Sequence, residues 1–350
     1  MLETTTTRHN PLVDPHLSVW GWEIPIYLFF GGMVAGMMIL GGLAMLRMLR
    51  GEDPRRYFSL QAPLLGFVLI NLGMVALFLD LSHKLYVWRV FLTFQVASPM
   101  SWGSWLLLIV YAALLLSALV RLPDAWPWLG RQLPVLQRVS DTLLARPARV
   151  KAIAWSNIVL GAGLGIYTGI LLNTMVARPL WNSAILGPLF LVSGLSAGAA
   201  MLHLASVLRG QRPAPAGMVG GAWSAIVQPL GPAWPEKGAA DGLVRSDQAF
   251  LVIELVLIGL LIANLYTSSA SHAAAAGLLM GGPYTGVFWG VVVGLGLVLP
   301  FVLQSLELGR RIPHTVVPAL LVLAGGYALR WVMVNAGQVS EVAPAMAGGY

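Results

Sequence analysis

The chain is 350 residues long, 57% hydrophobic and only 10% charged, with a formal net charge of +7. An ordinary soluble domain carries about 25% charged residues, so this composition excludes a water-soluble fold and points to an integral membrane protein whose first partner is the lipid bilayer. The basic excess then reports orientation rather than nucleic-acid binding. Cysteine is absent, which excludes a thiolate-bound iron–sulfur cluster, a c-type haem attachment and a disulfide. Any electrons this protein handles must arrive from, or leave to, another subunit.

About 20 apolar residues cross the hydrocarbon core as a helix. Eight candidate spans follow in order, at about 21–46, 59–81, 99–121, 150–173, 183–208, 249–270, 285–305 and 313–334. They predict an all-α, polytopic membrane helical bundle forming one integral membrane domain over 1–350. The first run is too long and its leader too poor in basic residues for a cleaved signal peptide, so it reads as a retained span. The segments after spans one, three, five and seven carry 16 of the 21 basic residues, from Arg47 to Arg311. The other face has Arg8, Lys84, Arg89 and Arg178, with Arg330 inside the last span. By the positive-inside rule both termini face outward. The long connections 122–148 and 209–248 are then cytoplasmic, as surface helices or loops.

Rows of small residues at four-residue spacing (Gly32 and Gly36; Gly161, Gly165 and Gly169; Gly194 and Gly198) predict close helix packing in lipid.

Ionisable groups inside a span are costly and mark candidate sites. The first span opens "VWGWEIPIYLFF". Glu23 and Tyr27, four apart, share a helix face, while Trp20 and Trp22 fit an interfacial belt. The second span ends "FLDLSHKLYVW". Asp80 and His83, three apart, place a carboxyl beside an imidazole, a pair that can pass protons near neutral pH. The third begins "SPMSWGSW", with Ser98 as N-cap, Pro99 as first helical residue, Trp102 and Trp105 as anchors, Gly103 permitting close approach by a neighbour, and Ser101 able to hydrogen-bond. The fourth carries Tyr167 near its outer end.

Glu23, Tyr27, Asp80, His83, Ser101 and Tyr167 therefore fall in the outer third of spans one to four. An apolar pocket with few polar groups and proton-transfer residues suits a quinone head, whose carbonyls need donors and whose two-electron reduction needs two protons. Glu254, read as one turn into span six from the inner side, and Arg330, near the outer end of span eight, are expected at opposite depths. Each is a candidate for a proton path. Among the histidines only His203 lies clearly within a span, which argues against a two-histidine b-type haem. Walker-type loops, a Gly-x-Ser-x-Gly elbow and His-Glu-x-x-His are missing.

The stretches "WGWEIPIYLFFGGMVAG", "LDLSHK", "SPMSWGSW", "GIYTGILL", "RPLWNSAILGPLFLVSGLSAGAA" and "LRWVMVNAGQ" resemble the NrfD/PsrC family. These are quinone-reactive membrane subunits of polysulfide reductase and related complex iron–sulfur molybdoenzymes. The resemblance implies an eight-helix anchor with no haem or iron–sulfur cluster of its own. Such an anchor exchanges electrons between menaquinone or ubiquinone and a four-cluster ferredoxin-like subunit, which serves a molybdopterin catalytic subunit, both docked on the periplasmic face during anaerobic respiration. It also implies that Asp80 is the family's aspartate, Tyr167 its quinone-holding tyrosine, and that the polar residue of the first span falls at Tyr27 or Glu23. The polysulfide reductase form has Asn and His where this sequence offers Ile24 and Tyr27, and Asp-Leu-Gly is Asp-Leu-Ser here. Competing readings are a secondary transporter using Glu254 and Arg330, which predicts inverted repeats and broken helices, and a proton-translocating subunit of a larger respiratory complex.

Overall fold

A computed structural model describes residues 20–51, 57–125, 127–208, 237–311, 313 and 315–340. Those residues form helices and short connections, with no strand among them. Eight of the helices are long and apolar enough to cross a membrane: Glu23–Met48, Tyr57–Asp80, Pro99–Ala125, Pro147–Asn173, Leu186–Leu208, Lys237–Ser268, Gly286–Leu308 and Val317–Val339. The protein is a multi-pass membrane protein. In hydrocarbon every backbone N–H and C=O must be satisfied internally, and helices do this segment by segment.

The first span is the hub. It packs against the second, fourth, fifth and eighth, and glycine makes the closest of these contacts. A Cβ placed on Gly36 would lie 2.1 Å from the Gly194 carbonyl oxygen, and one on Gly194 would lie 2.4 Å from that of Gly32. Only hydrogen fits there, so the small-residue rows act as expected, bringing backbones into direct contact where van der Waals packing rather than water exclusion drives association. The outer flanks of spans two, three and six keep large apolar side chains such as Val68, Ile109 and Leu260 exposed, as a lipid-facing surface requires.

Proline and polar residues set the helix limits. Pro99 begins the third span, and the Ser98 carbonyl accepts from the amides of Ser101 and Trp102; a residue without an N–H costs nothing at that first position. The seventh span is wound with the wider i→i+5 pitch from Gly286 to Val298 and returns to α geometry at Leu299–Pro300. Proline cannot donate to the preceding turn, and it sits at that junction. The connection after the third span contains two short helices, Pro127–Gln132 and Pro134–Leu144. The second lies against the bundle through Ser140 Oγ, which donates to the Val120 carbonyl at 2.7 Å.

Two boundaries alter the site. The second helix stops at Asp80, and His83 precedes a separate short turn, Lys84–Tyr86. The sixth helix starts at Lys237, inside the segment expected to be a connection; residues 209–236 of that connection lie outside the described residues. At about 1.5 Å per residue, a start twelve residues earlier moves the helix end about 18 Å inward.

At the end of the bundle where the first span begins, the Arg-Pro-Leu-Trp segment ties the fourth–fifth connection to the last span. Trp181 is 1% exposed, donates from Nε1 to the Met333 carbonyl at 2.7 Å and lies against Gly337. Trp20 stacks on Trp181 at 5.2 Å and exchanges two hydrogen bonds with the Gln338 amide. Trp20, expected as a belt residue, is thus also a clamp holding the start of the first span to the end of the eighth.

Candidate functional site

A cavity of about 650 Å³ opens between the first four spans, at the end of the bundle where the first span begins. Its walls are largely apolar (Met74, Phe78, Phe91 and Leu107 among them), and Tyr27, Asn71, Ser101 and Tyr167 add polar groups. The residues between the second and third spans add Val87, Val90 and Thr93 to its lining. Volume and lining match those of small-molecule sites, which are concave, mostly apolar and carry a few placed polar groups.

Tyr167 is held by the third span. Its hydroxyl donates to the Pro99 carbonyl at 2.9 Å, an acceptor at the first turn of that helix. The ring occupies the place where residue 103 has no side chain: a Cβ on Gly103 would lie 1.9 Å from Tyr167 Oη. Proline at 99 and glycine at 103 thus supply the acceptor and the slot for one phenol. With its proton on Pro99, Tyr167 offers oxygen lone pairs to the cavity rather than the donor expected from sequence; rotation of the hydroxyl restores the donor. Tyr27, one turn into the first span, lines the same cavity.

Ser101 is 8% exposed and its hydroxyl is engaged: it accepts from the Gln95 amide at 2.9 Å and donates to the Thr93 carbonyl at 3.2 Å. Ser104 likewise donates to the Val90 carbonyl at 3.1 Å. These serines staple the connection over the cavity, so Ser101 shapes the wall before it touches any ligand. Trp102 and Trp105 sit on the outer face of the helix start, the first donating to the Val96 carbonyl at 2.7 Å and the second edge-to-face with Phe94.

Asp80, His83 and Glu23 are not among the cavity-lining residues; Asp80 directly precedes Leu81, which is. Asp80 is partly buried and within electrostatic reach of Glu23 and Lys84. Glu23 opens the first helix, where a carboxylate is favoured by the helix dipole, and curls back over Gly21. His83 is exposed, its ring 6.5 Å from that of Tyr86. The expected stacking of Asp80 and His83 on one helix face does not form, because the helix ends at Asp80 and the i,i+3 geometry ends with it. Asn71 is a further polar wall residue, not among those expected from sequence; it accepts from the Tyr111 hydroxyl at 3.3 Å. Its signal in the sequence is the single amide within the apolar run 62–79 of that span.

Glu254 and Arg330 belong elsewhere, and together. Glu254 is eighteenth of the 32 residues of its helix and Arg330 fourteenth of 23, so both lie near the middle of their spans rather than at opposite depths. Arg330 is fully buried, donates to Ser193 Oγ and to the carbonyls of Gly326 (2.9 Å) and Phe190 (3.1 Å), and faces the Phe190 ring. Ser193 also lies beside the Glu254 carboxyl, between it and the guanidinium. The expected separation fails because the sixth helix begins earlier, and the eighth ends later, than hydropathy indicates. Among the described residues, no three of His, Asp and Glu converge to hold a metal ion.

Comparison with known proteins agrees with this layout. The sequence profile of the family described as "Polysulphide reductase, NrfD" matches residues 7–219 and 236–343. The C component of polysulfide reductase from Wolinella succinogenes is 30% identical over 333 residues, covering 91% of this sequence and 94% of that protein. Protein NrfD of Escherichia coli is 28% identical over 326 residues (92% and 96%). The C component of selenate reductase from Mesobacillus selenatarsenatis is 24% identical over 336 residues (91% and 73%). With a family match over nearly its whole length and eight membrane-crossing helices, the protein belongs to the NrfD family.

Proposed function

We propose that this protein is the quinone-reactive membrane subunit of a respiratory molybdoenzyme-type reductase complex, and that the cavity between spans one to four is its quinone site. The observation that carries the reading is the pairing of an apolar cavity of about 650 Å³ with the two tyrosines, Tyr27 and Tyr167, among its lining residues. Similarity to the C components of polysulfide and selenate reductases supports the complex as the setting.

The apolar walls hold the ring and tail of the quinone, and the phenols position its oxygens. Tyr167, with its proton on Pro99, accepts from a quinol hydroxyl; with the hydroxyl turned it donates to a quinone carbonyl. Oxidation of one quinol releases two electrons and two protons, and reduction of a quinone takes up the same. The electrons pass between the quinone and an iron–sulfur partner subunit docked over the cavity on the periplasmic side, which serves a molybdopterin subunit. The protons are exchanged at the margin by Asp80, with Glu23 and His83 as the next carriers outward; positioned acid–base groups of this kind are worth about 10²–10⁴ in rate.

The reading is tested in membranes holding the whole complex. Tyr167→Phe and Asp80→Asn are each expected to reduce quinol turnover by about 100-fold or more, with the partner subunits still bound. Wild-type turnover in both variants would refute the site. Orientation is tested separately: single cysteines at Lys84 and Arg138 should react with an impermeant maleimide from the periplasmic and cytoplasmic sides respectively.

A further inference from the structure

The connection between the second and third spans is apolar on two sides. Val87 and Phe91 line the cavity, whereas Leu85, Leu92 and Val96 are 87%, 71% and 69% exposed. Phe94 and Trp88 are also more than half exposed. No charged residue occurs from Val90 to Val120. An exposed apolar surface of this extent marks a contact with a partner or with a membrane. It continues along the chain through the exposed Met100, Trp102 and Trp105 to Leu108 and Ile109, on the lipid-facing flank of the third span.

Hydrogen bonds fix the depth of the connection. The Thr93 carbonyl accepts from Ser101 Oγ, on the third residue of the third span, and the Val90 carbonyl from Ser104 Oγ, on the sixth. At about 1.5 Å per residue, Val90 stands about 7.5 Å along the span from Pro99. The apolar face of an interfacial element sinks by about the same amount, 5–10 Å, into the boundary between headgroups and acyl chains. Irregular backbone is tolerated near lipid only where the protein itself answers its polar groups. Ser101, Trp102 and Ser104 do so here, through the Gln95 amide and the carbonyls of Val90, Thr93 and Val96. At the other end of the connection, the Arg89 guanidinium lies 4.6 Å from the Tyr86 ring and 5.5 Å from the Trp88 ring, with Lys84 exposed nearby in sequence. Cations held among aromatic rings suit the headgroup layer, where they meet lipid phosphates.

We infer that residues 84–98 form a lid seated in the bilayer, with its outer face on lipid at the headgroup–acyl boundary, and that the cavity opens sideways to lipid beside it. Val75 on the second span and Met100 on the third are each more than half exposed and also line the cavity, so they flank that opening. The occupant of the outer face is phospholipid, because the surface is continuous with the lipid-facing flank and uncharged along its apolar stretch. The opening deepens the quinone reading and rests on it. A prenyl-tailed quinone dissolved in the leaflet passes between Val75 and Met100, so that its head reaches Tyr167 while its tail stays among acyl chains. The serines and tryptophan that start the third span then serve to hold a non-helical lid against lipid.

The whole complex in its native membrane carries the test. The photoreactive residue p-benzoylphenylalanine replaces Leu92, Val96 or Met100 in turn, with Ile109 as the lipid-facing control. All three side chains are more than half exposed, so the replacements leave the packed interior untouched. After irradiation, mass spectrometry of this subunit should show phospholipid adducts at Leu92 and Val96, as at Ile109. Crosslinks from both positions to another polypeptide, or no adduct at either while Ile109 reacts, overturn the lid. Enriching the membrane in menaquinone or ubiquinone should replace the lipid adduct at Met100 by a quinone adduct and leave Leu92 unchanged. Failure of the quinone reading is distinguishable: an unchanged lipid adduct at Met100 with either quinone removes the passage, while lipid adducts at Leu92 and Val96 still support the lid.

Discussion

Replacing Gly103 by alanine tests whether the third span is built around the Tyr167 phenol. The added Cβ would stand 1.9 Å from Tyr167 Oη and 2.1 Å from Cζ, well inside contact distance, so either the ring or the helix start must move. Overpacking of this size costs about 1–3 kcal/mol. Displacing the hydroxyl from the Pro99 carbonyl adds about 1 kcal/mol for the lost hydrogen bond. Tyr167→Ala removes a side chain that is 8% exposed and should cost about 3–5 kcal/mol, by analogy with buried Phe and Trp. In the double variant the alanine methyl enters the space the ring has left, so the two costs should not add. A coupling of about 1–3 kcal/mol is expected between residues in such contact. The assay is unfolding of the detergent-solubilised protein for wild type, both single variants and the double. Additivity to within about 0.5 kcal/mol would mean that Gly103 and Tyr167 are independent, and the account of the Ser-Pro-Met-Ser-Trp-Gly segment as a tyrosine slot would fail.

Helix packing gives a paired prediction: Gly36→Ala, whose Cβ would meet the Gly194 carbonyl oxygen at 2.1 Å, should destabilise by about 3 kcal/mol or more. Gly259→Ala, with nothing within 4 Å, should be neutral or stabilise by up to about 1 kcal/mol through helix propensity, so equal thermal shifts in the two variants would remove the close-contact argument. Trp181→Phe leaves the Met333 carbonyl without its side-chain donor and should cost about 1–3 kcal/mol, read as a lowered unfolding midpoint. Arg330→Met leaves Glu254 buried without its cation and should cost about 3–5 kcal/mol, while Arg330→Met combined with Glu254→Gln should recover part of that loss. Ser101→Ala should loosen the segment carrying Thr93 and Gln95, seen as faster protease cleavage there, with turnover reduced far less than in Tyr167→Phe.

Hydropathy along the sequence determined what depends on the solvent alone. Eight apolar segments must become helices in lipid because no other single segment can satisfy its own backbone. Glycines four apart must face a neighbour, and Pro99 must begin a helix. The grouping of Tyr27, Ser101 and Tyr167 at one end of the bundle followed from counting residues inward from each span's end. Depth misled where a helix did not end where its apolar run did. The sixth helix begins in polar sequence, and from Leu243, Val244 and Asp247 onward it packs against the bundle rather than facing lipid. That placed Glu254 near the middle of its span, and the longer last helix brought Arg330 to meet it. Tertiary structure alone decided that Arg330, Ser193 and Glu254 come together, that the Asp247 carboxyl accepts from the Gln304 amide across two spans, and that Asp80 and His83 part at a helix end. Each of these turns on which faces of distant helices meet, and a one-dimensional pattern of apolar and polar residues carries depth but not facing.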